Sequence, residues 1–122
     1  MIIKNLKDSD EFTAGDGCLL RELLHADKGK FNFHYSLAHA RVKSEGITSP
    51  HKLKSTEVYY ILEGNGIMCI NEESQPVSPG CAVYIPADST QYIKNTGKKD
   101  LIFLCIVEPA WRIEDEEIKG EK

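Results

Sequence analysis

The chain has 122 residues, a hydrophobic fraction of 41%, a charged fraction of 28% and a formal net charge of -4. This length holds one domain with one core. The mild acidity lacks the basic stripe of a nucleic-acid binder, and no apolar run approaches the ~20 residues that cross a bilayer.

The N-terminal stretch MIIKNLKDSDEF has no signal-peptide hydrophobic segment, so the expected location is cytoplasmic. A turn of helix is expected near Asp8–Thr13. Strand-like runs rich in β-branched and aromatic residues then follow at Cys18–Leu24, Phe33–Lys43, Glu57–Glu63 and Gly66–Asn71. Gly64-Asn65-Gly66 reads as a tight reversal, because Gly and Asn tolerate positive φ. Val77-Ser78-Pro79-Gly80 is a second reversal, leading into a strand at Cys81–Ile85. Thr90–Asn95 is the next strand, Asn95-Thr96-Gly97 a third reversal, and Leu101–Glu108 the last strand. Many short strands at regular spacing argue for a β-sandwich or a barrel, with a core at about 17–108 and a tail at 109–122. The acidic run Glu114–Glu117 reads as a solvated terminus.

Cys18, Cys69, Cys81 and Cys105 form no CxxC pair and each lies in or beside an apolar strand-like run, so free buried thiols are expected. The run from Leu101 to Val107 is apolar on both parities. A strand with one wet face alternates, so both faces of this one need cover. A second copy of the chain, making a homodimer, is an economical outer cover, and a packed segment of the same chain is the alternative.

Side chains two apart in a strand share a face. His51, Leu53, Glu57, Tyr59 and Ile61 have one parity, and Gln91, Ile93 and Asn95 share a face in a later strand. Glu57 heads a strand with apolar residues on both faces, so its carboxylate needs a partner. His51 and Gln91 are the candidates, directly or through a cation. Imidazole, carboxylate and amide oxygen together suit a divalent metal such as Mn, Fe, Ni or Zn. Tyr59 shares the face of Glu57 and is a candidate proton donor, with core packing as its ordinary role. Arg41 could grip an anion, or simply be a solvated strand-end charge. Trp111 is expected to pack the tail onto the barrel or onto a neighbour, and Phe31 and Phe33 to sit in the core, with lining an opening as the alternative.

The segment from Gly46 to Asn95 resembles the two motifs of the cupin superfamily. In the first, Gly46 is followed after four residues by His51, Leu53 stands at the second His position, Glu57 follows, and Gly64 closes it. In the second, Gly80 leads to Pro86, Asp88 stands at a Gly position, Gln91 at a His position, and Asn95 ends it. The resemblance implies an all-β double-stranded β-helix, a jelly-roll barrel of two antiparallel sheets. It implies a divalent metal held typically by three His and one Glu, of which this chain keeps His51 and Glu57. Gln91 would add an amide oxygen, and His39, on a strand beside the first motif, is the best substitute for the missing imidazole. His34 and His25 carry less weight.

The resemblance further implies a metal-dependent isomerase, cyclase, lyase or oxygenase acting on a small molecule such as a sugar, an organic acid or a polyketide-like ring. The alternative is a non-catalytic small-molecule-binding module with a degenerate metal site.

Overall fold

The computed structural model describes residues 1–119. Alternation of inward apolar and outward side chains builds its strands: β1 (Phe12–Thr13), β2 (Leu19–His25), β3 (Ser36–Val42), β4 (His51–Leu53), β5 (Thr56–Glu63), β6 (Gly66–Ile70), β7 (Glu73–Val77), β8 (Ala82–Ile85), β9 (Gln91–Asn95), β10 (Leu101–Glu108) and β11 (Glu116–Ile118). One sheet has the order β1-β2-β3-β10-β5-β8, the other β11-β4-β9-β6-β7, and all their ladders are antiparallel. The expected helical turn falls earlier, as a 3-10 turn at Leu6–Asp8 capped by the Asn5 side chain.

The expectation of a barrel is corrected. Among the described residues no ladder joins one sheet to the other, so the architecture is two open sheets packed face to face. The reason is legible at the seam between β7 and β8. β7 carries Pro76, which has no N–H to give a further ladder. The chain then turns through Pro79-Gly80, and the Gly80 N–H donates to the Ile61 carbonyl at 2.9 Å, which commits the next segment to the first sheet.

The core lies between the sheets. Phe103, Ile61, Ile85, Ile93 and Leu101 are almost wholly buried. Burial of each such side chain contributes about 1.5–3 kcal/mol. The Tyr59 and Phe103 rings meet with centroids 4.5 Å apart. Gly64 is required at its turn: φ is +86°, and a Cβ there would sit 2.6 Å from the Asp100 carbonyl oxygen.

β1, β4, β7 and β11 fall outside the expected strand runs, and β1 lies where part of the helical turn was expected. β7 and β11 are polar, and each is made a strand by its neighbour, β6 and β4 respectively. β11 also corrects the solvated tail, because Glu116 stands opposite Leu53 in that ladder. Residues 120–122 of the tail lie outside the described residues. Trp111 is held at three points: its backbone N–H donates to Ser36 Oγ at 3.0 Å, its indole N–H to Glu116 Oε2 at 3.4 Å, and its carbonyl accepts from His25 Nε2 at 2.7 Å. His25 is thereby a structural latch. Phe31 and Phe33 are not core. They stack with Tyr35 in a partly exposed row, with centroids 4.7 and 4.3 Å apart.

Cys18, Cys69 and Cys105 are buried free thiols, and Cys81 is a partly exposed one. No helix among the described residues is long and apolar enough to cross a membrane.

Candidate functional site

β4, β5 and β9 bring His51, Glu57, Tyr59 and Gln91 to the space between the sheets, and all four are buried. His51 and Gln91 are cross-strand partners in the second sheet. Glu57 and Tyr59 project toward them from the first. The Tyr59 hydroxyl donates to Gln91 Oε1 at 3.0 Å, and Gln91 Nε2 donates to Glu57 Oε1 at 2.6 Å. A carboxylate only accepts, so the amide nitrogen faces it and the amide oxygen faces the phenol.

Burial dominates the electrostatics. It pushes the Glu57 carboxyl up to about 7, against the Gln91 hydrogen bond and the His51 imidazole, which favour the charged form. Asp16 and Glu116 push it in the same direction as burial. Tyr59 is raised well above the ordinary phenol range, by burial and then by Glu57, so its hydroxyl stays a donor. Burial likewise raises the thiols of Cys105 and Cys18, each also facing Glu57 and Asp16.

Asp16 is the member of this neighbourhood that the sequence did not suggest. It lies in Gly15-Asp16-Gly17, where its Oδ1 accepts from the Cys18 N–H at 3.1 Å. That contact is an Asx turn, the one signal that could have drawn attention to it. Its Oδ2 lies 3.7 Å from His51 Nε2. His51 Nδ1 donates to the Ser49 carbonyl at 2.8 Å, and the Ser49 N–H donates to the Asp16 carbonyl at 2.7 Å. The imidazole is therefore oriented by a hydrogen bond at its Nδ1 end, while Asp16 faces Nε2 from beyond hydrogen-bond distance.

His39 is not brought to this cluster. On β3 the inward residues are Ser36, Ala38, Ala40 and Val42, so His39 projects from the outer face. There burial, and then the Arg21 guanidinium, lower its pKa. Arg41, on the same outer face, is committed to Glu11 at 2.7 Å and Asp100 at 2.8 Å, which pins the N-terminal segment to the sheet.

The divalent metal implied by the resemblance does not fit these donors. The Gln91 oxygen is engaged by Tyr59, and its nitrogen cannot ligate. Leu53, two residues from His51 on the same face, is apolar and buried. Among the described residues no three His, Cys, Asp or Glu side chains are grouped so as to hold a metal ion. Asp88, at a family Gly position, does adopt φ +62° in the left-handed region, and its N–H donates to the Leu53 carbonyl at 2.8 Å.

Four likenesses to known proteins bear on this geometry. A family model described as "Cupin domain" matches residues 38–107. An uncharacterised protein of Methanocaldococcus jannaschii is 41% identical over 104 residues, covering 84% of this chain and 82% of that protein. A solved structure from Photorhabdus luminescens superposes with a TM-score of 0.77 at 26% identity, over 94% of this chain and 91% of that one. A predicted oxalate decarboxylase from Thermotoga maritima superposes with a TM-score of 0.78 at 20% identity, over 88% of this chain and 99% of that one, a likeness of fold alone.

Proposed function

The chain belongs to the cupin family, and from that premise we propose that it is a small-molecule-binding module with a degenerate metal position. The observation that carries this reading is the Tyr59–Gln91–Glu57 line of hydrogen bonds. It turns the Gln91 nitrogen, which cannot ligate, toward Glu57 and engages the Gln91 oxygen with Tyr59, while the remaining lone pairs of Gln91 and Glu57 stay available to the polar end of a ligand. His51, oriented by Ser49 and facing Asp16, extends that set.

The test is thermal denaturation with sugars, organic acids and ring compounds, all in excess chelator. A binder at a hundred times its Kd stabilises the native state by about 2.7 kcal/mol, a rise of several degrees in Tm. Tyr59→Phe is expected to reduce that rise. If stabilisation appears only when a divalent metal is added, the binding-module reading is wrong.

A second reading is favoured by one observation. A buried carboxyl near neutral pKa, hydrogen-bonded in line with a phenol, is also the equipment of acid–base catalysis. In that reading Glu57 is the base and Tyr59 the proton donor. Turnover of any ligand found in the thermal screen separates the two.

We also propose that the outer face of the first sheet packs against a second copy. Tyr84, Val58, Ile106 and Leu37 form one cross-strand row on that face, and Tyr60 and Leu104 pair in the next. Ile106, Tyr60 and Tyr84 are exposed on the single chain. Light scattering on a sizing column is expected to give a dimer mass, and Ile106→Asp a monomer mass. A monomer at every concentration for the natural chain would remove this proposal.

A further inference from the structure

The open seam between β7 and β8 encloses a groove of about 300 Å³, within the range of small-molecule sites. Its floor is the apolar interior, supplied by Met68, Ile70, Val77 and Val83. Its walls are the outer edges of two sheets, each presenting backbone groups that no further strand among the described residues pairs. The floor also abuts the polar cluster, because Val83 is the cross-strand neighbour of Tyr59, and Ile70 of Gln91. Glu73 is the charged side chain among the described lining residues, and no Lys, Arg or His among the described residues lines the groove.

We infer that this seam is a ligand site, and that its occupant is a largely apolar small molecule that is uncharged or cationic and not an anion. The inference rests on the binding-module reading and specifies where the ligand sits and what charge it carries. An extended peptide fits less well, because β8 is four residues long and Pro76 interrupts the donor row of β7. A carboxylate ligand would meet Glu73 with no Lys, Arg or His among the described lining residues to offset it, and is disfavoured there against an uncharged or cationic one.

Cys81 lines the groove and is partly exposed, whereas Cys18, Cys69 and Cys105 are buried. It is a native reporter. The experiment measures the rate of Cys81 alkylation by iodoacetamide, read by mass spectrometry on the full chain, with three probes of one skeleton: 2-naphthol, 2-naphthylmethylammonium and 2-naphthoate. Amide shifts in the NMR spectrum locate each probe. The first two probes, at ten times their Kd, are expected to slow alkylation about tenfold, in proportion to the unoccupied fraction. Their shifts should centre on Met68, Ile70, Val77 and Val83. 2-Naphthoate should leave the rate unchanged. Glu73→Lys, an exposed position, should make 2-naphthoate protective and abolish protection by the ammonium.

Equal protection by all three probes would overturn the charge assignment. Absence of protection by every probe would overturn the seam as a site, and the binding-module reading would then stand or fall on the thermal screen alone. Shifts at Tyr59 and Gln91 without protection of Cys81 would overturn the seam and support that reading.

Discussion

A Leu53→His, Gln91→His double variant is expected to take up a divalent metal at near-stoichiometric level, with an affinity on the order of a hundredfold or more above that of the natural chain. The substitution works at two separate obstacles. Leu53 fills an inward position two residues from His51 with an apolar side chain. Gln91 ties its oxygen to Tyr59 and turns its nitrogen toward Glu57. Imidazoles at both positions, with His51 and Glu57, supply four donors from β4, β5 and β9, and the Ser49 carbonyl already orients the first of them. The variant without metal should be less stable, because a buried polar ring replaces Leu53. Metal should restore that loss, since binding free energy adds to folding free energy. Elemental analysis and competition with a chelator of known affinity measure the outcome. If the double variant binds no more tightly than the natural chain, Leu53 and Gln91 do not occupy ligand positions and the motif alignment is wrong.

The second large effect is on the pH dependence of stability. Glu57 has its carboxyl raised by burial to about 7 in the folded chain, against an ordinary value of 4.5. Between those values the native state holds a proton that the unfolded chain has released. Stability from this group is therefore fully present below the unfolded value and is lost as pH rises through about 7. Glu57→Gln keeps an acceptor for the Gln91 amide and removes the buried charge. The variant should show a flatter stability profile from pH 5 to pH 8 and exceed the natural chain at pH 8 by a few kcal/mol, on the order set by 1.36 kcal/mol per pKa unit. Urea denaturation at the two pH values measures it. An unchanged slope in the variant would assign the dependence to another group and remove the basis for treating Glu57 as a buried acid.

Much of the fold was legible because a strand's period is short. Counting by two sorted β5 into faces, with Glu57, Tyr59 and Ile61 together, but β5 and β10 are apolar on both parities, and only packing showed that this face and Leu101, Phe103 and Cys105 point inward. The same counting put His51 with Leu53, and Gln91 with Ile93, on shared faces. β7 escaped it because Glu73-Ser74-Gln75-Pro76-Val77 has little strand character of its own and is held by β6. β11 escaped for the same reason, as an acidic segment held by β4. Counting also left His39 undecided: it separates two faces of β3 but does not say which is inside. The Ala40 and Val42 face is inside because those side chains pack against the core, and His39 is left with Arg21 and Arg41 outside.

The chain's own order of residues determined the two-residue periods, the reversals at Gly64 and Gly80, and the kinship of the segment from Gly46 to Asn95. These are local matters of backbone sterics and side-chain direction, and they need no distant partner. The tertiary structure alone decided that the sheets stay unjoined between β7 and β8, that Asp16 approaches His51, and that the Gln91 amide is spent on Tyr59 and Glu57. Each of those depends on segments far apart in the chain settling their burial and hydrogen bonds together, and no short stretch carries that free energy by itself.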